Sequence, residues 1–145
     1  MFPSVNRWTV AWFLACIVFA LHIVDEALQG SFGFYSDVEQ LLTNLFPSLS
    51  ITPFNFDVWL LNMTGTLVAL FLLTPLVHAG HRLMVPGSFA FAAFLTGNSA
   101  FHLMMLLGRG DPVTGSITAP VMLAAGIFLF LSTGRPAGAT APGQG

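Results

Sequence analysis

Four apolar runs of membrane-spanning length divide the chain, with polar or Gly/Pro-containing connections between them. The runs cover residues 8–28, 58–77, 87–107 and 117–132. A hydrocarbon core about 30 Å thick needs roughly 20 apolar residues per helix, so this pattern predicts four crossings. The predicted fold class is therefore all-α, an integral membrane four-helix bundle that forms one domain over residues 1–133. The Gly-, Ala- and Pro-rich residues 134–145 are expected to be a disordered tail.

A shorter amphipathic segment lies between the first two runs. Ser36-Asp37-Val38-Glu39 has the pattern of a helix capping box, and apolar residues then recur at helical spacing until Pro47. The pattern predicts a short helix over about residues 37–46 that lies in the membrane interface. It is either a lid over the bundle or a simple connector, and the sequence leaves both open.

Composition supports a membrane protein and excludes several other classes. The chain is 55% hydrophobic and 7% charged, with a mean hydropathy of +0.82, whereas soluble domains carry about 25% charged residues. A net charge of −2 argues against nucleic acid as a partner. The single cysteine, Cys16, excludes a disulfide within the chain and a cysteine-based metal cluster.

The arginines predict the orientation. With four crossings, Arg7, Arg82 and Arg135 fall on one side of the membrane and Arg109 on the other. Positive charge accumulates on the cytoplasmic side, so both termini are expected in the cytoplasm of a multi-pass plasma-membrane protein. The first run follows Arg7 as a signal peptide would, but it lacks a convincing cleavage site, and we expect it to be retained.

Polar side chains, most of them ionisable, interrupt the first and third apolar runs. His22, Asp25 and Glu26 are spaced i, i+3 and i+4, and Asn98 and His102 are spaced i and i+4, so each set shares one helix face. Both histidines lie roughly 21–23 Å along helices that run in the same direction. We therefore expect them at the same depth, in the outer half of the bundle. The other two helices add further polar residues to that half: Asn62, Thr64, Thr66 and Thr118.

This polar layer is the candidate site. One Asp at the centre of a membrane helix costs about 2.5–3.5 kcal/mol, so the carboxylates should turn into the bundle and find partners there. The candidate metal ligands are His22, Asp25, Glu26 and His102, a set that suits Zn, Fe or Mn. Glu26 as a general base and Asn98 as an orienting group are the candidate catalytic residues. The leading hypothesis is a metal-binding membrane enzyme.

The position of the candidate site among lipids predicts membrane lipids as partners and a lipid-like small molecule as the substrate. The oligomeric state is open.

Three alternatives to a metal-binding enzyme remain. The first is a metal-free isomerase in which a histidine and a carboxylate transfer protons. The second is a proton relay or transporter, since chains of Asp, Glu and His mark such pathways. The third is a structural protein whose polar layer only fixes helix register.

The motifs resemble those of a known family. His22-x-x-Asp25-Glu26, Asn98-x-x-x-His102 and the turn at residues 111–118 are similar to the HXXEE domain, a four-helix bacterial membrane domain of unknown function. The resemblance implies a bacterial plasma membrane, and a His/Glu/Asn site that is enzymatic or metal-binding. The chain departs from the pattern at Asp25, where the family has Glu. A weaker similarity, to EXPERA-type sterol isomerase-like proteins, rests on His22 and Glu26 and implies the metal-free reaction.

Overall fold

Every regular element in the part of the chain that the structure describes is an α-helix. The structure is a computed structural model, and it describes residues 6–29, 33–48, 53–109 and 114–134. The helices in chain order are α1 (Arg7–Gln29), α2 (Gly33–Leu45), α3 (Phe56–His78), α4 (Met84–Arg109) and α5 (Ala119–Ser132). The prediction of an all-helical protein is confirmed. Of the predicted tail, residues 135–145 lie outside the described residues.

Three of the helices have the length and hydropathy of membrane spans. They are α1, α3 and α4, the last of these over Met84–Gly108. Helix α5 is equally apolar but has 14 residues, which gives a length of about 21 Å. The predicted runs at 8–28, 58–77, 87–107 and 117–132 correspond to these four helices, with ends that differ by up to three residues.

The short helix α2 begins earlier than its sequence pattern predicts. It starts at Gly33, so Ser36 lies inside the helix, and the prediction that Ser36 caps its N-terminus is wrong. The Glu39 carboxylate does not act as the second half of a capping box. It accepts a hydrogen bond from the backbone N–H of Phe54 at 3.1 Å, which ties α2 to the segment before α3.

Helix α1 lies at the centre of the molecule and α3 at its edge. Helix α5 packs against both α4 and α1, whereas α3 packs against α1. Half of the most apolar stretch of α1 is buried inside the protein, compared with 6% of that of α3. Most of the surface of α3 therefore faces outward, as expected for a lipid-exposed helix.

Long aromatic side chains join α1 to α4. The Trp12 and Phe91 rings meet edge to face with centroids 5.4 Å apart, and Phe19 contacts Phe91 at 6.0 Å and Phe94 at 5.5 Å. Near the start of α1 the indole N–H of Trp8 donates to the Ser88 hydroxyl at 2.9 Å. These contacts fix the register of the two helices, and so the height at which their polar residues meet.

Helices α4 and α5 approach each other closely at a glycine. A Cβ atom on Gly126 would lie 2.7 Å from Thr96 Oγ1, closer than real Cβ contacts, and 3.1 Å from the backbone oxygen of Ala92, tighter than most of them. Helix α5 also packs against α1, and the turn before it contacts the C-terminal half of α1 through Thr118 and Asp25. That turn completes the polar site.

Candidate metal centre

Three ligand atoms converge where α1 and α4 meet. Glu26 Oε1 lies 3.1 Å from His102 Nε2 and 3.7 Å from His22 Nε2, and the two imidazole rings are 5.0 Å apart. One ligand atom from each residue lies within 4.8 Å of the others. The residues are 1%, 4% and 6% exposed in the order His22, Glu26, His102. We call this set the His–Glu–His trio.

A second carboxylate fixes the protonation of His22 through a hydroxyl. Thr118 donates to Asp25 Oδ2 from its backbone N–H at 3.0 Å and from its hydroxyl at 2.8 Å. A hydroxyl has one proton, so Thr118 Oγ1 must accept from His22 Nδ1–H, 2.8 Å away. The remaining nitrogen, His22 Nε2, is then unprotonated. It accepts from the Asn98 amide at 2.9 Å.

Asp25 thus supports the trio without joining it. Its other oxygen accepts a short hydrogen bond from the Gln29 side chain. Metal-bound histidines commonly donate their second nitrogen to a carboxylate or another acceptor, which orients the ring and raises its basicity. The Asp25–Thr118–His22 chain is an arrangement of this kind, with a threonine hydroxyl between the carboxylate and the ring.

Tyr35 brings a hydroxyl from α2 onto Glu26. The phenol oxygen lies 3.2 Å from Glu26 Oε1 and 3.3 Å from Oε2, so its proton is shared between the two carboxylate oxygens. The Tyr35 ring stacks on Phe54 with centroids 4.7 Å apart. Burial, and next the Glu26 carboxylate, raise the pKa of Tyr35 above its ordinary value. The phenol therefore stays protonated and donates to Glu26.

Gly115 closes the remaining side of the trio. It lies in the turn before α5 with φ +79°, a left-handed conformation that favours glycine. A Cβ atom on it would lie 2.7 Å from His22 Cε1, 2.9 Å from His102 Cε1 and 3.1 Å from Glu26 Cγ. The missing side chain leaves the space that the two rings and the carboxylate occupy.

The structure unites most of the residues predicted for the site. His22, Glu26 and His102 converge, Asn98 contacts His22, and Thr118 connects His22 to Asp25. Polar residues predicted to approach from α3 lie apart and are exposed, namely Asn62, Thr64 and Thr66. Sequence reasoning missed Tyr35 and Gly115 as site residues, although the Asp-Pro-Val-Thr-Gly turn was part of the family-like pattern.

The donor set suits a divalent metal such as zinc, and so do the two distances from the Glu26 carboxylate. Two imidazoles and one carboxylate are the three protein ligands of many catalytic zinc sites, and a facial set of the same kind binds iron. Ligand atoms at about 2.0–2.1 Å from a tetrahedral zinc lie about 3.4 Å apart. The two distances from Glu26 Oε1, 3.1 and 3.7 Å, bracket that value.

No family model, curated protein or solved structure matches the chain. The resemblance to the HXXEE domain therefore stays a prediction that rests on the motifs. The case for a function depends on the site itself.

Proposed function

We propose that this protein is a membrane-embedded enzyme that holds a divalent metal, zinc in the first place, on His22, Glu26 and His102 and acts on a lipid-like substrate. The observation that carries the proposal is the convergence of three buried ligand atoms, one from each of these side chains, within 4.8 Å.

Charge balance supports a cation at this position. Glu26 is buried, and in the described part of the chain its ion-pair partners are histidines; no described arginine contacts Glu26 or Asp25. Uncompensated buried charge is strongly unfavourable, costing several kcal/mol per ion. A divalent metal balances the carboxylate while both imidazoles stay neutral. An imidazolium balances it as well, which is the basis of the second candidate below.

Each residue has a defined part in this proposal. A metal held by His22, Glu26 and His102 would supply a Lewis acid for a carbonyl or phosphoryl oxygen of the substrate. A metal on His22 Nε2 would take the lone pair that accepts from the Asn98 amide, so the amide would be released to orient an oxygen of the substrate. Tyr35 holds a proton at its phenol oxygen, within reach of both oxygens of Glu26. Gly115 and its turn exclude water from one side.

We further propose that α5 completes a four-helix membrane bundle with both termini in the cytoplasm. Support comes from the packing of α5 on α1 and α4, and from Arg7 and Arg82, which share one side in that arrangement. The bacterial plasma membrane as the location rests on the HXXEE resemblance. The trio then lies in the outer half of the bundle.

The test is the metal content of protein purified in mild detergent. Inductively coupled plasma mass spectrometry should find about one ion per chain in the wild type, and little in His22→Ala or His102→Ala. His78→Ala is the matched control, since His78 lies on α3 outside the trio. Thr118→Val removes no ligand and should weaken metal affinity about 10–100-fold. Wild-type stoichiometry in both trio variants would refute the assignment.

A second candidate, metal-free acid–base catalysis, is favoured by one distance. Glu26 Oε1 and His102 Nε2 are 3.1 Å apart, close enough for the pair to share a proton and pass it to an apolar substrate. If every sample is metal-free and folded, this candidate takes precedence. If the trio variants then differ from wild type in thermal stability alone, the polar layer is structural.

A further inference from the structure

An apolar cavity of 360 Å³ lies between α1, α3 and α4. Its volume falls within the range of small-molecule sites, about 300–1,000 Å³. Aromatic and aliphatic side chains form most of its wall, and the single hydroxyl among them belongs to Thr66. The lining residues are Phe19, Met63, Thr66, Leu70, Gly87, Phe91 and Phe94.

The cavity begins one helical turn below the polar site. Phe19 precedes His22 by three residues on α1, and Phe94 precedes Asn98 by four on α4. The rings of Phe19 and Phe94 meet edge to face at 5.5 Å and line the end of the cavity that is nearer the polar site. From Phe94 the wall continues along α4 to Gly87, a distance of about 10 Å.

The position and lining of the cavity indicate which kind of molecule fills it. Water finds a single hydroxyl to bond there, that of Thr66, so an apolar occupant is favoured over water. The walls belong to three helices that are each apolar enough to cross a membrane, and α3 packs against α1 while the cavity separates it from α4. In a bilayer, the material beside such a gap is acyl chain. A lipid in the nearer leaflet would extend its chain along the cavity, away from the polar site.

We propose that the cavity holds the hydrocarbon chain of the substrate, which makes the substrate an acyl lipid whose oxygen-bearing end reaches the His–Glu–His trio. The second half of this statement rests on the proposed function, whereas chain binding does not. A side chain from a second copy of the protein is the competing occupant.

Gly87 allows the cavity to be filled with little disturbance. A Cβ atom on Gly87 would meet one neighbour within 4 Å, Met84 Cε at an ordinary 3.9 Å. Gly87→Leu should therefore occupy the cavity while the backbone stays in place. The matched control is Gly65→Leu, since Gly65 is exposed on α3 with no atom within 4 Å of its Cβ position. Thr66→Phe is a second filling variant, from the opposite wall.

The probe is a fatty acid with a diazirine near its methyl end, photolysed with the purified protein in lipid nanodiscs and mapped by peptide mass spectrometry. In the wild type and Gly65→Leu, labelling should fall on the end of the cavity wall farther from the polar site, at Leu70 or Phe91. Gly87→Leu and Thr66→Phe should lower it at least about ten-fold, equivalent to 1.4 kcal/mol.

Three results would overturn chain binding. The first is wall labelling in folded Gly87→Leu and Thr66→Phe that equals that of the wild type. The second is labelling confined to outward-facing residues of α3 such as Leu61 and Leu72. The third is cross-linking between two copies through the cavity.

Metal analysis of the same samples separates this inference from the proposed function. Gly87→Leu should keep its metal and lose the label, whereas His22→Ala should lose its metal and keep the label. If the wild type keeps its full metal content but is not labelled, chain binding is refuted and the metal centre stands. If the wild type is labelled but contains no metal, the metal centre is refuted and the acyl-lipid site stands.

Discussion

Gly115 is placed where any side chain would collide with the candidate metal centre. Its φ of +79° and the short distances from its Cβ position to His22, His102 and Glu26 are two separate requirements for glycine. The first concerns the backbone alone and the second concerns the site. They can be separated because Gly80 shares the first requirement, with φ +67°, and has no atom near its Cβ position.

Gly115→Ala should therefore lower metal content, whereas Gly80→Ala should not. Both variants carry the left-handed backbone cost, about 1–2 kcal/mol, so both should unfold at a lower temperature than wild type. Gly115→Ala should unfold at the lowest temperature because its methyl group also displaces the imidazoles. Metal analysis beside thermal unfolding in detergent measures both effects. Equal losses of metal and of thermal stability in the two variants would show that glycine is required at position 115 by the backbone of the turn alone.

Tyr35 predicts a specific alkaline pH dependence. The pKa of Tyr35 is raised in the folded protein, whereas the phenol of the unfolded chain ionises at about pH 10. Above that pH the folded state binds more protons than the unfolded state, so the free energy of unfolding contributed by Tyr35 falls as pH rises. Below it the contribution is constant. Tyr35→Phe should lose less stability than wild type between neutral and strongly alkaline pH.

Direct titration is available because Tyr35 is the single tyrosine of the chain. The ultraviolet absorbance of tyrosinate should show that the Tyr35 phenol ionises well above pH 10 in the native protein and at about pH 10 after denaturation. Coincident titration curves in the two states would contradict both the burial of the phenol and its contact with Glu26.

Residue spacing was enough to predict part of the site. His22 and Glu26 share a face by helical periodicity, and equal depth along parallel helices brought His102 to them. Tyr35 could not be placed, because its approach depends on the path between α1 and α2, which helical periodicity does not define. Asp25 was assigned as a ligand from spacing alone; its hydrogen bonds to Thr118 depend on how the turn before α5 folds.

At the level of helices, Gly126 determines how closely α4 and α5 pack. Gly126→Ala should destabilise the protein by about 1–3 kcal/mol, because the methyl group meets the backbone oxygen of Ala92. Gly97→Ala on α4 is the control, since its Cβ position is open. That change should stabilise the helix by about 0.5–1 kcal/mol. Denaturant unfolding in micelles measures both, and a stabilised Gly126→Ala would disprove the close contact.

Helix type was predicted more reliably than helix ends. Long apolar runs have few alternatives to a helix, whereas an end depends on local hydrogen bonds. Helix α3 begins where Asn55 accepts from the N–H of Val58 at 3.1 Å, two residues before the predicted start. For α2 the capping-box pattern was misleading, because Glu39 binds the backbone of Phe54 and the helix starts at Gly33.

For the whole molecule, cysteine labelling in intact cells tests the proposed four crossings. Ala79→Cys and Ala137→Cys should react with a membrane-impermeant maleimide after the membrane is opened, and Asn44→Cys without opening it. Wild type is the control, because its single cysteine, Cys16, is fully buried. Labelling of Ala137→Cys from outside would show that α5 turns back and does not cross.

The length of α5 has a consequence for the membrane around the protein. At about 21 Å it is shorter than a hydrocarbon core of about 30 Å, while α1, with 23 residues, spans about 34 Å. In the four-helix arrangement that we propose, this hydrophobic mismatch would fall on the α5 side, and lipids there would thin to meet α5. The compressed patch would lie beside the turn that carries Gly115 and Thr118. Bilayers of shorter-chain lipids would relieve the compression, so in that arrangement membrane thickness acts directly on the site.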